Sequence, residues 1–252
     1  MILCVFEGKK REPELFDAIN HLFLHDTAMA YFTVDNTFHK LYKDLSSNEW
    51  DLIPTLKLME QHREEQVLSK YNNSDFSEIY LFFDYDFQDR KNTLEQLNAE
   101  IDEMLSFFDN ETENGKMYVS YPMVEALRYT KTLPDENYHT YTVCREDCKT
   151  IGFKQIAANF SSYSNYDFLI DIRKRETRNN WLLEKLQNVE KANLLCYGKM
   201  EEPTDKELLN QKNIFDAQQS KFITTDQCMV SILSSFAMFL FDYLKPKDAV
   251  CS

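Results

Sequence analysis

Glycine and proline are scarce, 4 and 6 in 252 residues, which leaves little room for flexible linkers or low-complexity segments. With so few glycines there is no Gly-x-x-x-x-Gly-Lys-Ser/Thr loop, which excludes an ATPase of that type within the chain. No apolar run is long enough to span a bilayer. The longest, Met229 to Leu244, is broken by Ser231, Ser234, Ser235 and Asp242, and is expected to form a buried helix. The apolar start, Met1 to Phe6, has no basic stretch ahead of it and leads into Glu7, unlike a signal or transit peptide. Positive charge is in deficit, with 28 Lys and Arg against 42 Asp and Glu and a net charge of −14. That balance opposes undirected attraction to nucleic acid. Local basic clusters at Lys9-Lys10-Arg11 and Arg173-Lys174-Arg175 with Arg178 read better as solvated faces than as binding patches. The cysteines are scattered. Cys144 and Cys148 have only His139 nearby and no second pair, which is poor zinc spacing. A cytoplasmic setting with reduced thiols is expected.

What is present is a chain rich in aromatics, 14% of its residues, and long enough for one large domain or a domain with an appended subdomain. Met1–Phe6, Met29–Val34, Ile79–Phe83 and Lys116–Ser120 read as strands. Helices are expected from Arg11 or Pro13 to His25, from Glu49 towards Ser69 behind an Asn48 cap, and from Asn92 or Thr93 to Phe108. Strand-helix alternation of this kind implies a mainly parallel α/β sheet flanked by helices. Beyond Glu125 the pattern turns helical, with helices expected over Asp167–Val189, Asp205–Gln219 and Met229–Leu244. The expected division is a core over 1–135 and a mostly helical region over 136–252 that packs on it and binds a substrate or partner. The dense aromatics at Phe236, Phe239, Phe241 and Tyr243 suit a core helix better than an interface.

Acids stand at three strand ends. Glu7-Gly8 follows the first strand, and Glu7 has no capping role there, while Gly8 permits a tight turn and close approach by a ligand. Glu12 falls at the start of the first helix, where an acid is also welcome for the helix dipole. Asp84-Tyr85-Asp86 follows the third strand, and in an extended chain the two carboxylates point the same way, about 7 Å apart. Glu125 follows the fourth strand. Hard oxygen ligands delivered at the ends of adjacent strands are how α/β sheets hold Mg²⁺ or Mn²⁺.

Glu7-Gly8 with Asp84-x-Asp86 resembles the TOPRIM domain of topoisomerases, primases and overcoming-lysogenization-defect (OLD) nucleases. More narrowly, Glu7-Gly8-x-x-x-Glu12-Pro13-x-x-Phe16, the Asp-x-Asp and Ser120-x-Pro122-x-x-Glu125 look like the RloB-type, OLD-like TOPRIM proteins. The resemblance covers roughly residues 1–130. It departs from the pattern at Arg11, where Thr is frequent, and at Tyr121, where Asn often precedes the proline. It implies a TOPRIM-like Rossmannoid core and a stand-alone, divalent-metal-dependent nuclease acting on DNA or RNA in bacterial antiviral defence. By carry-over, Glu7, Asp84 and Asp86 hold one Mg²⁺ or Mn²⁺ and Glu12 with Glu125 a second, and Glu7 doubles as general acid or base. Of the nearby cations Lys9, Arg128 and Lys131, Lys131 is taken as the catalytic one. Any nucleotide control would come from a separate ATPase partner, and a homodimer through the C-terminal helices is expected. The alternatives are a non-catalytic TOPRIM-fold subunit of an ATPase-containing defence complex and a phosphoryl-transfer enzyme acting on nucleotides.

Overall fold

The computed structural model describes residues 1–34, 38–61, 63–88 and 92–245. Its first half alternates β1 (Ile2–Phe6), α1 (Arg11–Phe23), β2 (Met29–Thr33), α2 (Phe38–Ser46), α3 (Leu52–Glu60), β3 (Glu78–Asp84), α4 (Leu94–Phe107), β4 (Asp109–Asn110) and β5 (Gly115–Ser120). These strands form one five-stranded sheet in the order β2-β1-β3-β5-β4, parallel except for β4. β1 is buried along its whole length, as expected of a central parallel strand covered on both faces. The chain leaves β1 for β2 on one side and returns to place β3 on the other. The order therefore reverses between β1 and β3, the kind of crevice where α/β sheets bind ligands.

The second half contributes β6 (Thr142–Cys144), α5 (Arg145–Ile151), α6 (Phe153–Phe160), α7 (Asp167–Ile170), α8 (Thr177–Tyr197), α9 (Gln211–Gln218), β7 (Met229–Ser231) and α10 (Ser235–Tyr243). β6 and β7 form a separate antiparallel pair. α10 lies against the large sheet. Phe236 stacks on Phe82 with ring centroids 4.9 Å apart, and Phe239 meets Phe16 at 5.1 Å. Phe6, Phe16, Phe82 and Tyr118 from the first half thus share one aromatic core with Phe236 and Phe239 from the second.

Several elements differ from the sequence reading. The helix expected from Glu49 towards Ser69 is only α3, because the Glu60 carboxylate turns back to accept the Leu68 amide at 3.0 Å. Asn48 does not cap it; its amide donates to the Thr55 hydroxyl. α2 had no counterpart in that reading. The helix expected over Asp167–Val189 is broken into α7 and α8. Between them the Asp171 carboxylate takes the Arg173 guanidinium at 2.7 Å and its carbonyl takes the Thr177 hydroxyl. Asp205–Gln219 becomes a 3₁₀ turn and α9, with Asn210 capping the latter. The run from Met229 begins as β7 and turns helical only at Ser235. Among the described residues, no helix is long and apolar enough to cross a membrane.

Candidate metal and phosphate site

The parallel register sets the site. Phe6 pairs with Phe82 across β1 and β3, so the chain reaches Glu7 and Asp84 at neighbouring strand ends. The Asp84 amide donates to Glu7 Oε2 at 3.2 Å, which ties the two acids directly. Gly8 begins the turn into α1, and its amide donates to Glu12 Oε1 at 3.0 Å. A Cβ at Gly8 would sit 2.7 Å from both carboxylate oxygens of Glu12, so the absent side chain is the space Glu12 occupies. Beyond β5, a 3₁₀ turn over Val124–Arg128 carries Glu125 into the same region.

Burial and mutual repulsion dominate the electrostatics here. Burial pushes the Glu7 carboxyl from its ordinary 4.5 to about 8, with Asp86 and Glu12 adding to the rise and the Asp84 and Phe38 amides opposing it. Burial likewise raises Asp84 well above the usual carboxylate range, and Glu7, Glu12, Glu125 and Asp86 raise it further, in that order. Glu12 is raised by burial too, against the help of the Gly8 amide. All five acids singled out in the sequence therefore act on one another in a single neighbourhood. Removing several carboxylates from water at one place is costly unless protons or cations compensate.

Their arrangement departs from the sequence picture in one respect. β3 ends at Asp84 and Asp86 takes a positive φ of 32°, so the two aspartates do not continue one extended strand. The Tyr85 and Asp86 amides instead bond to the carbonyls of Ser120 and Pro122, which fastens this loop to the end of β5. The second half grips the loop as well: Arg145 Nε donates to the Phe87 carbonyl at 2.6 Å, and the Phe153 amide to Gln88 Oε1. Asp89, in the same acidic segment, lies outside the described residues.

Among the described residues no three Asp, Glu, His or Cys side chains converge closely enough to hold an ion as they stand. Glu7 and Glu12 each give an oxygen to a backbone amide, an arrangement that keeps mutually repelling carboxylates apart. The donor set nonetheless fits Mg²⁺ or Mn²⁺: it is all hard carboxylate oxygen, and Glu125 Oε2 is buried with no hydrogen-bond partner. Glu125 Oε1 lies 4.0 Å from the exposed Lys154 ammonium.

Lys131 is engaged elsewhere. Its ammonium donates to the Phe160 carbonyl and lies 4.1 Å from the centre of that ring. Arg128 lies in the same 3₁₀ turn as Glu125, three residues on. Tyr166, just ahead of α7, was missed in the sequence: its ring lies under Arg11 at 4.6 Å and near Arg128 at 5.8 Å. Only the spatial return of the chain reveals it, since it stands 41 residues beyond Glu125 (166 − 125) with no motif around it. Ser120, quoted within the motif, bonds to the Ser235 hydroxyl at 2.8 Å and so anchors α10. Cys144 caps α5 and Cys148 is buried, which accounts for that pair structurally.

A cavity of about 720 Å³ lies at the opposite ends of the strands, beside Glu78, Lys116 and Tyr118. Its Lys116 and Asp242 pair with each other at 3.0 Å, and it borders Lys245, the last described residue. Compared with known proteins, the chain matches no family model, no curated protein and no solved structure.

Proposed function

We propose that the chain is a TOPRIM-like, divalent-metal-dependent nuclease that cleaves phosphodiester bonds of DNA or RNA, with a role in bacterial antiviral defence. The observation that supports this most is the position of Glu7 and Asp84 at the β1–β3 reversal, with Glu12, Asp86 and Glu125 in the same electrostatic neighbourhood. In this reading Glu7, Asp84 and Asp86 hold one Mg²⁺ or Mn²⁺, and Glu12 with Glu125 a second. Ions bound there would stabilise charge on the attacking and leaving oxygens of an in-line displacement.

The chain's own residues do the positioning. Gly8 leaves the space that Glu12 needs, and the loop hydrogen-bonded to Ser120 and Pro122 fixes Asp86 relative to Asp84. Burial of the acids keeps their charge poorly solvated, so cations gain more from binding there than at an open surface. Phe236, Phe239 and Phe241 are buried in the core, so that stripe offers no exposed interface.

Plasmid DNA and labelled RNA incubated with Mg²⁺ or Mn²⁺ test the proposal. Cleavage is expected in the wild type and is expected to fall at least a hundredfold in Glu7→Ala and Asp84→Ala proteins that remain folded by circular dichroism. Undiminished cleavage in both variants would rule out this site.

A further inference from the structure

Three side-chain atoms around the acids are buried without a hydrogen-bond partner: Glu125 Oε2, Arg128 Nε and Tyr166 Oη. Glu125, Arg128 and Tyr166 are 6%, 7% and 5% exposed, so bulk solvent barely reaches them. Two of the three are donors, and a donor buried with nothing to donate to carries a desolvation penalty. They also belong to one place. Glu125 and Arg128 share the 3₁₀ turn, and both Arg128 and Arg11 approach the Tyr166 ring. Tyr166 feels the charges of Glu125, Arg128, Arg11 and Asp84, in that order after burial itself.

Arg128 is held from behind. Its Nη1 donates to the Ser164 carbonyl at 3.1 Å, two residues ahead of Tyr166. The loop that carries Tyr166 is thereby fastened to the turn that carries Glu125, and Nε is left over. Arginine has no acceptor and keeps its charge, and an un-ionised phenol offers one O–H. A fixed cation and a neutral donor next to a cluster of carboxylates make a bipolar surface. Its complement is a tetrahedral oxyanion with one edge towards cations held by the acids and another towards Arg128 and Tyr166.

We infer that Arg128 Nε and Tyr166 Oη form an oxyanion subsite that holds a non-bridging oxygen of a phosphate group beside the acid cluster. This rests on the reading of the acids as a divalent-cation site, and gives Arg128 and Tyr166 the part that sequence proximity assigned to Lys131. It also makes the second half of the chain a contributor to the site, through a residue that no strand-end motif announces.

The test is calorimetric titration of the full chain, first with Mn²⁺ and then with orthophosphate on the Mn²⁺-loaded protein. Tyr166→Phe, Arg128→Lys and Lys131→Ala are compared with the wild type. Tyr166→Phe removes one oxygen and leaves the ring packing intact. It is expected to keep Mn²⁺ affinity within about twofold and to weaken orthophosphate about tenfold. Arg128→Lys is expected to weaken orthophosphate at least as much, and Lys131→Ala to leave it unchanged. Orthophosphate affinity in Tyr166→Phe equal to the wild type would overturn the subsite and leave an internal water as the partner of these atoms. Mn²⁺ uptake without orthophosphate uptake in the wild type would overturn it alone. Absence of Mn²⁺ uptake would overturn the cation-site reading, and the subsite with it. If Arg128→Lys fails to fold, Tyr166→Phe decides.

Discussion

At the scale of single residues, Glu7 concentrates the tension of the site. Its carboxyl is raised from 4.5 to about 8, so the folded protein holds a proton that the unfolded chain has already released. Stability from this group is greatest below pH 4.5 and is lost as pH rises through about 8, because over that window the unfolded chain binds fewer protons than the folded one. In metal-free buffer the melting temperature is accordingly expected to fall between pH 5 and 8. Glu7→Gln should flatten that fall, an effect on the order of a few kcal/mol at the alkaline end. Thermal melts at stepped pH, with chelator and then with Mg²⁺, check both. Gly8 gives a second residue-scale expectation. Its missing Cβ is where the Glu12 carboxylate rests, at the flexible end of a side chain. Gly8→Ala should cost at most about 1 kcal/mol in denaturant unfolding, since a flexible side chain can move aside. It should still lower cleavage by about tenfold or more, because Glu12 is displaced. Glu7 and Asp84 stand out in the sequence because each directly follows an apolar run, whereas Glu12 sits behind a basic run at a helix start. Tyr166 was not, because a buried tyrosine in a polar loop carries no local signature.

At the scale of elements, the sheet was the most readable part. β1, β2, β3 and β5 agree with the expected strands to within a residue or two, since continuous apolar runs in a small menu of lengths leave few alternatives. Helices of the second half were read less well. Met229–Leu244 is mostly apolar, and apolarity alone does not separate a strand from a helix. What makes Met229–Ser231 a strand is pairing with Thr142–Cys144, 87 residues earlier (229 − 142). Likewise the break between α7 and α8 comes from Asp171 binding Arg173 and Thr177, a local competition with helical bonding that periodicity cannot register. The placement of α10 on the sheet carries its own test. Phe236 is 1% exposed and touches Phe6, Phe16 and Phe82, with one function in packing and none in the site. Phe236→Ala is expected to cost about 3–5 kcal/mol, as other buried aromatic truncations do. Urea denaturation measures it.

At the scale of the whole molecule, the charge of −14 and the proposed polyanionic substrate pull in opposite directions. Cations bound among Glu7, Glu12, Asp84, Asp86 and Glu125 would reconcile them: they would remove part of the negative charge where the phosphate must approach. On the proposed reading, divalent ions at these acids would turn a locally repulsive surface into one that accepts a phosphate. The early carboxylates Glu7 and Asp84 stand in the folded protein at the sheet's order reversal, where burial first and the neighbouring acids second raise both carboxyls. Calorimetric titration of Mn²⁺ into the wild type and into Asp84→Asn tests this most directly. The account requires saturable binding of about two ions to the wild type and loss of at least one of them, with the affinity of the other reduced, in Asp84→Asn. Absence of saturable binding in the wild type, or equal binding in both proteins, would contradict it.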